Sequence, residues 1–249
     1  MKKLLLLSNS TMAGQQYLEY PMGDINQFLG TRSVRALFLP FAAVTLSWDD
    51  YETRVKERFN EIGHDVTSIH HFPDAIQAMR DAEAIVVGGG NTWNLLQHIH
   101  ALNLIEPVRD KVLTGTKYIG WSAGANVACP TIMTTNDMPI VDPKGFHAFG
   151  LVPFQINPHY LDANPEGHGG ETREERILEF IAVSRNIYVA GLREGCMLHV
   201  DDMQMSMKGP RTLRLFRFNA EPREITAGED LSFMLRPPAR GQSAETTAT

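Results

Sequence analysis

The sequence predicts an α/β protein, with a mostly parallel, doubly wound sheet that carries helices on both faces and a small antiparallel portion toward the C-terminus. Three observations carry that prediction. Short β-rich apolar runs alternate with segments of helical period through the first half; after Gly191 the pattern shifts to shorter alternating runs; and 249 residues, 43% hydrophobic and 21% charged, suffice for one well-buried core. A single domain over residues 1–235 follows, and residues 236–249, with two prolines and a Ser/Thr/Ala-rich end, read as a flexible tail.

The elements follow in chain order. Met1-Lys2-Lys3 and then Leu4 to Leu7 look briefly like the start of a secretion signal, but the apolar run breaks at Ser8-Asn9-Ser10. That is short of the ~7–15 apolar residues of a signal, so 4–7 is read as a buried first strand. Further strands are expected at 34–39, 66–69, 84–87 and 118–120. Tyr51, Val55, Phe59 and Ile62 fall at helical spacing between charged residues, which makes 50–62 an amphipathic helix with an acidic start and Gly63 at its end. Helices are also expected at 73–81, 92–101, 106–113 and 171–183. Residues 155–160 read as a strand ending in a proline-fixed turn on the second half of the sheet, and 187–190 as another apolar run. The alternating runs 196–200, 203–207 and 213–218 suggest an antiparallel edge or a small second sheet.

Composition excludes several classes. A net charge of −6 without a long basic run argues against nucleic acid or an anionic membrane as partner, and no segment approaches the ~18 apolar residues of a membrane helix. Cys129 and Cys196 lack C-x-x-C spacing and read as reduced thiols of a cytoplasmic protein. Neither a cofactor nor a metal is expected. An acidic substrate would need a local cation to overcome the general field.

The chemistry centres on Gly120-Trp121-Ser122-Ala123-Gly124, a G-x-S-x-G segment directly after an apolar strand. This is the pattern of a nucleophile elbow, where a sharp strand-to-helix turn lifts the serine hydroxyl over the end of the sheet. The helix expected to follow, 123–128, points its N-terminal N–H groups at the same spot. A serine hydroxyl needs a histidine base and a carboxylate to orient it. Of nine histidines, His64, His70, His71, His98 and His100 read as surface or packing residues, while His147 and His168 lie in loops and stay open. His159 stands apart, in Asn157-Pro158-His159 at a strand end, where open α/β sheets keep their sites. Glu194 lies in the glycine-flanked turn Gly191-Leu192-Arg193-Glu194-Gly195, read equally as a triad acid or a solvated turn residue. The order Ser122, His159, Glu194 speaks against an α/β-hydrolase, in which the acid precedes the histidine. A second cluster, Gly88-Gly89-Gly90-Asn91, has neither dinucleotide nor P-loop spacing; it is read as letting Gly89 or Gly90, with Ala123, form an oxyanion hole, and Asn91 hold the substrate backbone.

With these pieces placed, nearly the whole chain resembles the peptidase E family of aspartyl dipeptidases, serine peptidases on a class I glutamine amidotransferase-like fold. The resemblance is carried by Leu4-Leu5-Leu6-Leu7-Ser8-Asn9-Ser10-Thr11, Ile85-Val86-Val87-Gly88-Gly89-Gly90-Asn91-Thr92, Gly120 to Asn126, Thr134-Thr135-Asn136-Asp137-Met138-Pro139-Ile140-Val141-Asp142-Pro143, Ile156-Asn157-Pro158-His159 and Gly170-Glu171-Thr172-Arg173-Glu174. It implies a Ser122, His159, Glu194 triad and hydrolysis of dipeptides that begin with aspartate. Amidotransferase relatives carry a cysteine nucleophile and a glutamate two residues after the histidine; here those positions are Ser122 and Leu161, which makes glutamine hydrolysis unlikely to be the reaction.

Arg173, at a helix start where a cation opposes the dipole unless an anion joins it, is the candidate for the aspartyl carboxylate, with Glu171 and Asn91 as further substrate-binding positions. Arg193 and Cys196 beside Glu194 depart from the family's pattern and bear on fine specificity. The loop 134–142 reads either as a lid or as a rigid turn fixed by Pro139 and Pro143. The expected partner is a small acidic dipeptide, and the expected assembly a homodimer. The alternatives are a cyanophycinase-like β-aspartyl peptidase, which needs an acidic pocket for an arginine side chain, and a non-catalytic ligand-binding member of the fold.

Overall fold

The computed structural model describes residues 1–164, 166–167 and 169–238. Most of the expected tail (239–249) and His168 lie outside the described residues. The first half winds as β1 (Lys3–Leu7), α1 (Met22–Leu29), β2 (Arg35–Leu39), α2 (Trp48–Asn60), β3 (Asp65–Ser68), α3 (Ala75–Asp81), β4 (Ala84–Val87), α4 (Thr92–Ala101), α5 (Ile105–Leu113), β5 (Lys117–Trp121) and α6 (Ala123–Asn126). The second half adds β6 (Gln155–Pro158), α7 (Arg173–Val183), β7 (Val189–Leu192), β8 (Met197–Asp201), β9 (Gln204–Lys208), β10 (Leu213–Phe216) and β11 (Arg223–Ile225).

Two sheets result. The larger has the order β3-β2-β4-β5-β1-β8-β9, with β3, β2, β4, β5 and β1 parallel and the edge pair β8 and β9 antiparallel. β1 shows why its sequence is apolar throughout: Leu4 and Leu6 enter the core on one face of the sheet, Leu5 and Leu7 the core on the other. The second sheet has the order β11-β10-β7-β6, in which β6 and β7 are parallel and joined by the crossover helix α7.

Both readings of the C-terminal runs therefore hold, since β8 and β9 form an antiparallel edge while β10 and β11 lie in a second sheet. One expectation is corrected: the strand before His159 is not in the second half of the main sheet. The flank of β1 that it would need is taken by β8, and β6 pairs with β7 instead.

Several boundaries also shift. α2 starts at Trp48 because the Ser47 hydroxyl accepts the Asp50 N–H at 3.0 Å, and α7 starts at Arg173 because Thr172 and Glu175 form a capping box. The helix expected over 123–128 is a single turn, closed off ahead of Pro130, which disfavours helical backbone at Cys129. α1 was not expected. Met22, Ile25, Phe28 and Leu29 give it a buried face, but its N-cap is Pro21, with no side-chain cap to announce a start. No helix among the described residues is long and apolar enough to cross a membrane.

Candidate active site

Three adjacent carboxyl ends of the main sheet meet at one point. β4 runs into Gly88-Gly89-Gly90, β5 into Ser122, and β1, between β5 and β8, into Ser8 and Asn9. The turn after β5 holds Ser122 at φ 53°, ψ −113°, outside the usual left-handed basin, a conformation that is costly for a side chain with a Cβ. It is enforced from below: the Ser122 N–H donates to Leu7 O at 3.0 Å, and the Tyr118 hydroxyl donates to Gly124 O at 2.6 Å. At Gly124 a Cβ would lie well inside contact distance of the Val87 carbonyl oxygen, so the elbow packs on β4 only because that residue is glycine.

The second sheet supplies the remaining groups. Its parallel register sets Pro158 beside Leu192, so the residues that follow, His159 on one strand and Glu194 two places on from the other, leave from neighbouring ends. His159 Nδ1 lies 2.7 Å from Glu194 Oε1, and its Nε2 lies 2.9 Å from Ser122 Oγ. The three side chains predicted from sequence are thus brought together. His147, left open as a base, has its carbonyl bonded to His100 Nε2 at 2.8 Å, on the face where His100 Nδ1 meets Pro143 O.

The residues that hold the two sheets in this relation were missed. The Ser8 hydroxyl, fully buried, donates to Leu192 O at 2.7 Å and accepts the His159 N–H at 2.9 Å. The Asn9 side-chain oxygen accepts the Gly195 N–H at 2.9 Å and the Tyr20 hydroxyl at 3.0 Å. The end of β1 therefore grips both the histidine turn and the glutamate turn. Leu4 to Thr11 carries part of the family resemblance, but nothing in its residue pattern signals that Ser8 and Asn9 bind neighbours some 150 or more residues away.

Gly89, Gly90 and Ala123 were predicted as an oxyanion hole. None of their N–H groups donates to a protein acceptor among the described residues, while both neighbours in the chain are engaged, Gly88 N–H on Leu39 O and Asn91 N–H on Ala42 O. Tyr51, expected only as a core position of α2, does more. Its hydroxyl donates to Gly89 O at 3.0 Å and accepts Trp121 Nε1–H at 3.1 Å. Because the peptide is planar and trans, fixing that carbonyl turns the Gly90 N–H to the opposite side.

A cavity of about 600 Å³ opens over these groups, lined by Gly89, Gly90, Asn91, Ser122 and His159 together with Tyr17, Tyr51, Arg54, Asp137 and Ile140 among others. That is room for a molecule of dipeptide size. Asn91 lines it, but its side chain already caps α4 at the Asn94 N–H and donates to Met138 O at 2.9 Å, so a substrate contact would compete with these bonds. Arg173 and Glu171 are not in the lining. Glu171 is exposed and lies 3.7 Å from Arg176. Arg173, half-buried, donates to Asn136 Oδ1 at 2.7 Å and has no carboxylate partner among the described residues; burial and then the charge of Arg176 lower its pKa, while Asp137 opposes the shift.

The loop 134–142 is stitched over its first half. Asn136 donates to Pro158 O, Asn157 to Thr134 O, and Asp137 Oδ2 accepts from both the N–H and the hydroxyl of Thr92.

Arg193 turns away from the cavity into an ion network, its own side chain buried while its acidic partners stay open to water. It binds Asp162 and Glu224, donates to Thr212 O at 2.7 Å, and stacks 5.4 Å from the Tyr160 ring centre. Its guanidinium, with Thr212 and Arg214, holds the Glu224 carboxyl at about 2, well below its usual 4.5. Arg193 thereby ties the histidine loop to β11. Cys196 is buried, and burial pushes up both its thiol and that of Cys129.

The model described as Peptidase family S51 matches residues 4–208. A peptidase E from Nostoc sp. is 47% identical over 234 residues, covering 94% of this chain and 97% of that protein. A peptidase E from Salmonella newport is 50% identical over 227 residues, covering 91% and 98%. Among solved structures, a peptidase from an acI-B1 Actinobacterium superposes with a TM-score of 0.66 at 15% identity, covering 94% of this chain and 97% of the other, which shows a shared fold.

Two outcomes follow from the site. Ser8→Ala should leave the His159 N–H and Leu192 O without their buried partner, lowering stability by about 1–3 kcal/mol in denaturant titration and turnover by roughly tenfold or more, because the histidine turn is no longer fixed. In acid, the contribution of Glu224 is complete above pH 4.5, the usual carboxyl value, and is lost as pH falls toward about 2. A Glu224→Gln variant should therefore start with a lower Tm at pH 7 but lose less of it between pH 4.5 and 2 than the unaltered protein, as followed by circular dichroism.

Proposed function

The chain belongs to peptidase family S51, and from that premise we propose that it is a cytoplasmic serine dipeptidase that releases aspartate from Asp-X dipeptides. The observation that carries this reading is the unbroken hydrogen-bond chain from Glu194 through His159 to Ser122 at the floor of the cavity. Ser122 Oγ attacks the aspartyl carbonyl carbon while His159 Nε2 takes its proton and Glu194 holds the Nδ1–H. The unpartnered N–H groups of Gly89 or Gly90 and of Ala123 receive the oxyanion. His159 then returns the proton to the departing amine of residue X. Water, activated by the same imidazole, hydrolyses the acyl-enzyme and frees aspartate.

Recognition of a short acidic substrate draws on charges around the cavity. Arg173, half-buried and with no ion-pair partner among the described residues, is assigned to the aspartyl carboxylate; it stands outside the lining, bonded to Asn136 beside the wall residue Asp137, and takes the substrate when its side chain swings inward past that segment. Arg54 in the lining is suited to the free carboxylate of X, and Asp137 keeps Oδ1 outside its network with Thr92 and Thr135 for the substrate ammonium. A cyanophycinase-like reading fits less well, since Asp137 is the one carboxylate among the lining residues.

The test is a panel of Asp-X, Asn-X, Glu-X and β-Asp-X dipeptides. Asp-X should be cleaved fastest, and Ser122→Ala should reduce kcat by about four to six orders of magnitude; preference for β-Asp-X, or turnover that survives the loss of the serine, would reject the proposal. Arg173→Met should cut the preference for Asp-Leu over Asn-Leu in kcat/KM roughly 100-fold, as expected for loss of a charge-assisted pair, and an unchanged ratio would remove Arg173 from the specificity pocket.

A further inference from the structure

Away from the catalytic cavity, the start of α2 and the 3-10 turn Ile69–His71 that follows β3 bring four ligand-type side chains to one point. One oxygen each of Asp49 and Glu52 and one nitrogen each of His70 and His71 all lie within 4.8 Å of one another. None of the four lines the cavity over Ser122. The sequence offered the two histidines only as surface or packing groups, because the carboxylates that meet them are some 20 residues earlier in the chain.

Three features mark this as more than a pair of solvated contacts. The cluster carries two carboxylates, and neither pairs with a lysine or arginine among the described residues; the partners of both are imidazoles. Glu52 is 8% exposed, so one negative charge sits out of water without a permanent counter-ion. The groups are also oriented from behind: Ser68 N–H donates to Glu52 Oε1 at 3.0 Å, leaving Oε2 toward His71, and His70 Nδ1 meets Ser68 Oγ at 2.6 Å, leaving Nε2 toward Asp49 at 2.8 Å. Such support through the far atom of Glu52 and of His70 is the arrangement that fixes tautomer and direction in metal sites. His71 Nε2 lies between both acids, 2.5 Å from Glu52 Oε2 and 3.7 Å from Asp49 Oδ1.

We propose that Asp49, Glu52, His70 and His71 form a binding site for a divalent transition-metal ion, zinc in the first instance, clamping the start of α2 to the end of β3. Two imidazoles with two carboxylates suit zinc, whereas calcium and magnesium favour all-oxygen sets. A tetrahedral ion with bonds of about 2.0–2.1 Å needs donor atoms roughly 3.3 Å apart. The His71–Glu52 contact widens toward that spacing by a swing of the half-exposed His71 ring, and the contacts of Asp49 with both histidines adjust by movement of Asp49, whose side chain is 76% exposed.

Titration of the chelator-treated protein with zinc chloride, by calorimetry and by competition with a chromogenic chelator, tests the proposal. One ion per chain should bind at micromolar concentration or tighter, with a Tm rise of a few degrees at saturation. His71→Ala removes a half-exposed side chain and should weaken binding about 100-fold while leaving the Tm of the metal-free protein within a degree or two; Glu52→Gln should weaken it similarly. Absence of uptake, or uptake that His71→Ala and Glu52→Gln leave unchanged, would overturn the site.

Discussion

The structure depends on the buried hydroxyl of Ser8. It is the point at which two separately hydrogen-bonded sheets become one site, because a single oxygen accepts from the backbone of His159 and donates to the strand that leads to Glu194. Asn9 repeats the arrangement one residue on, holding the Gly195 N–H beside Glu194. Side chains alone would not keep the imidazole aligned, since His159 and Glu194 are each about 40% exposed and water competes for their contact. Anchoring the backbone of both turns to the end of β1 confines them to one geometry before any side chain is considered.

The same economy governs the nucleophile. Ser122 and His159 both sit at positive φ, near 53° and 52°, where residues with a Cβ are rarely found. Each conformation costs on the order of 1–3 kcal/mol and persists only when the surroundings over-determine it. Around Ser122 they do: the Leu7 carbonyl receives its N–H, Tyr118 holds Gly124, and the glycines of the elbow let β4 and β5 close on one another. Tyr51 extends the scheme to the proposed oxyanion side by pinning the Gly89 carbonyl, so the direction of the Gly90 N–H is set by a hydroxyl on α2 rather than by the loop itself.

Much of this was legible from residues alone, for physical reasons. The apolar runs of β1, β2, β4 and β5 are buried on both faces and so stand out without any need for alternation. The elbow announces itself because its steric demand can be met only by glycine at fixed offsets from the serine. His159 and Glu194 could be chosen because each follows a strand end. What stayed hidden was long-range. Nothing local to Gln155–Pro158 says that it pairs with β7 in a separate sheet, since the composition of a strand does not record which neighbour it takes. Ser8, Asn9 and Tyr51 looked like a strand end and a helix core because their partners are distant in sequence. Arg193 looked out of place beside the acid, and it is the bidentate geometry with Asp162 and Glu224 that accounts for it.

The position of β1 has a consequence for synthesis. β1 is flanked in the sheet by β5, made more than 110 residues later, and by β8, made nearly 200 residues later. It must wait, unpaired on at least one side, until β8 has emerged, and such distant pairing slows folding. The arrangement around Ser122 therefore arrives late and all at once: a nascent fragment that already displays the elbow has neither His159 nor Glu194 beside it, and the proposed hydrolysis can begin only once β7 has joined β6.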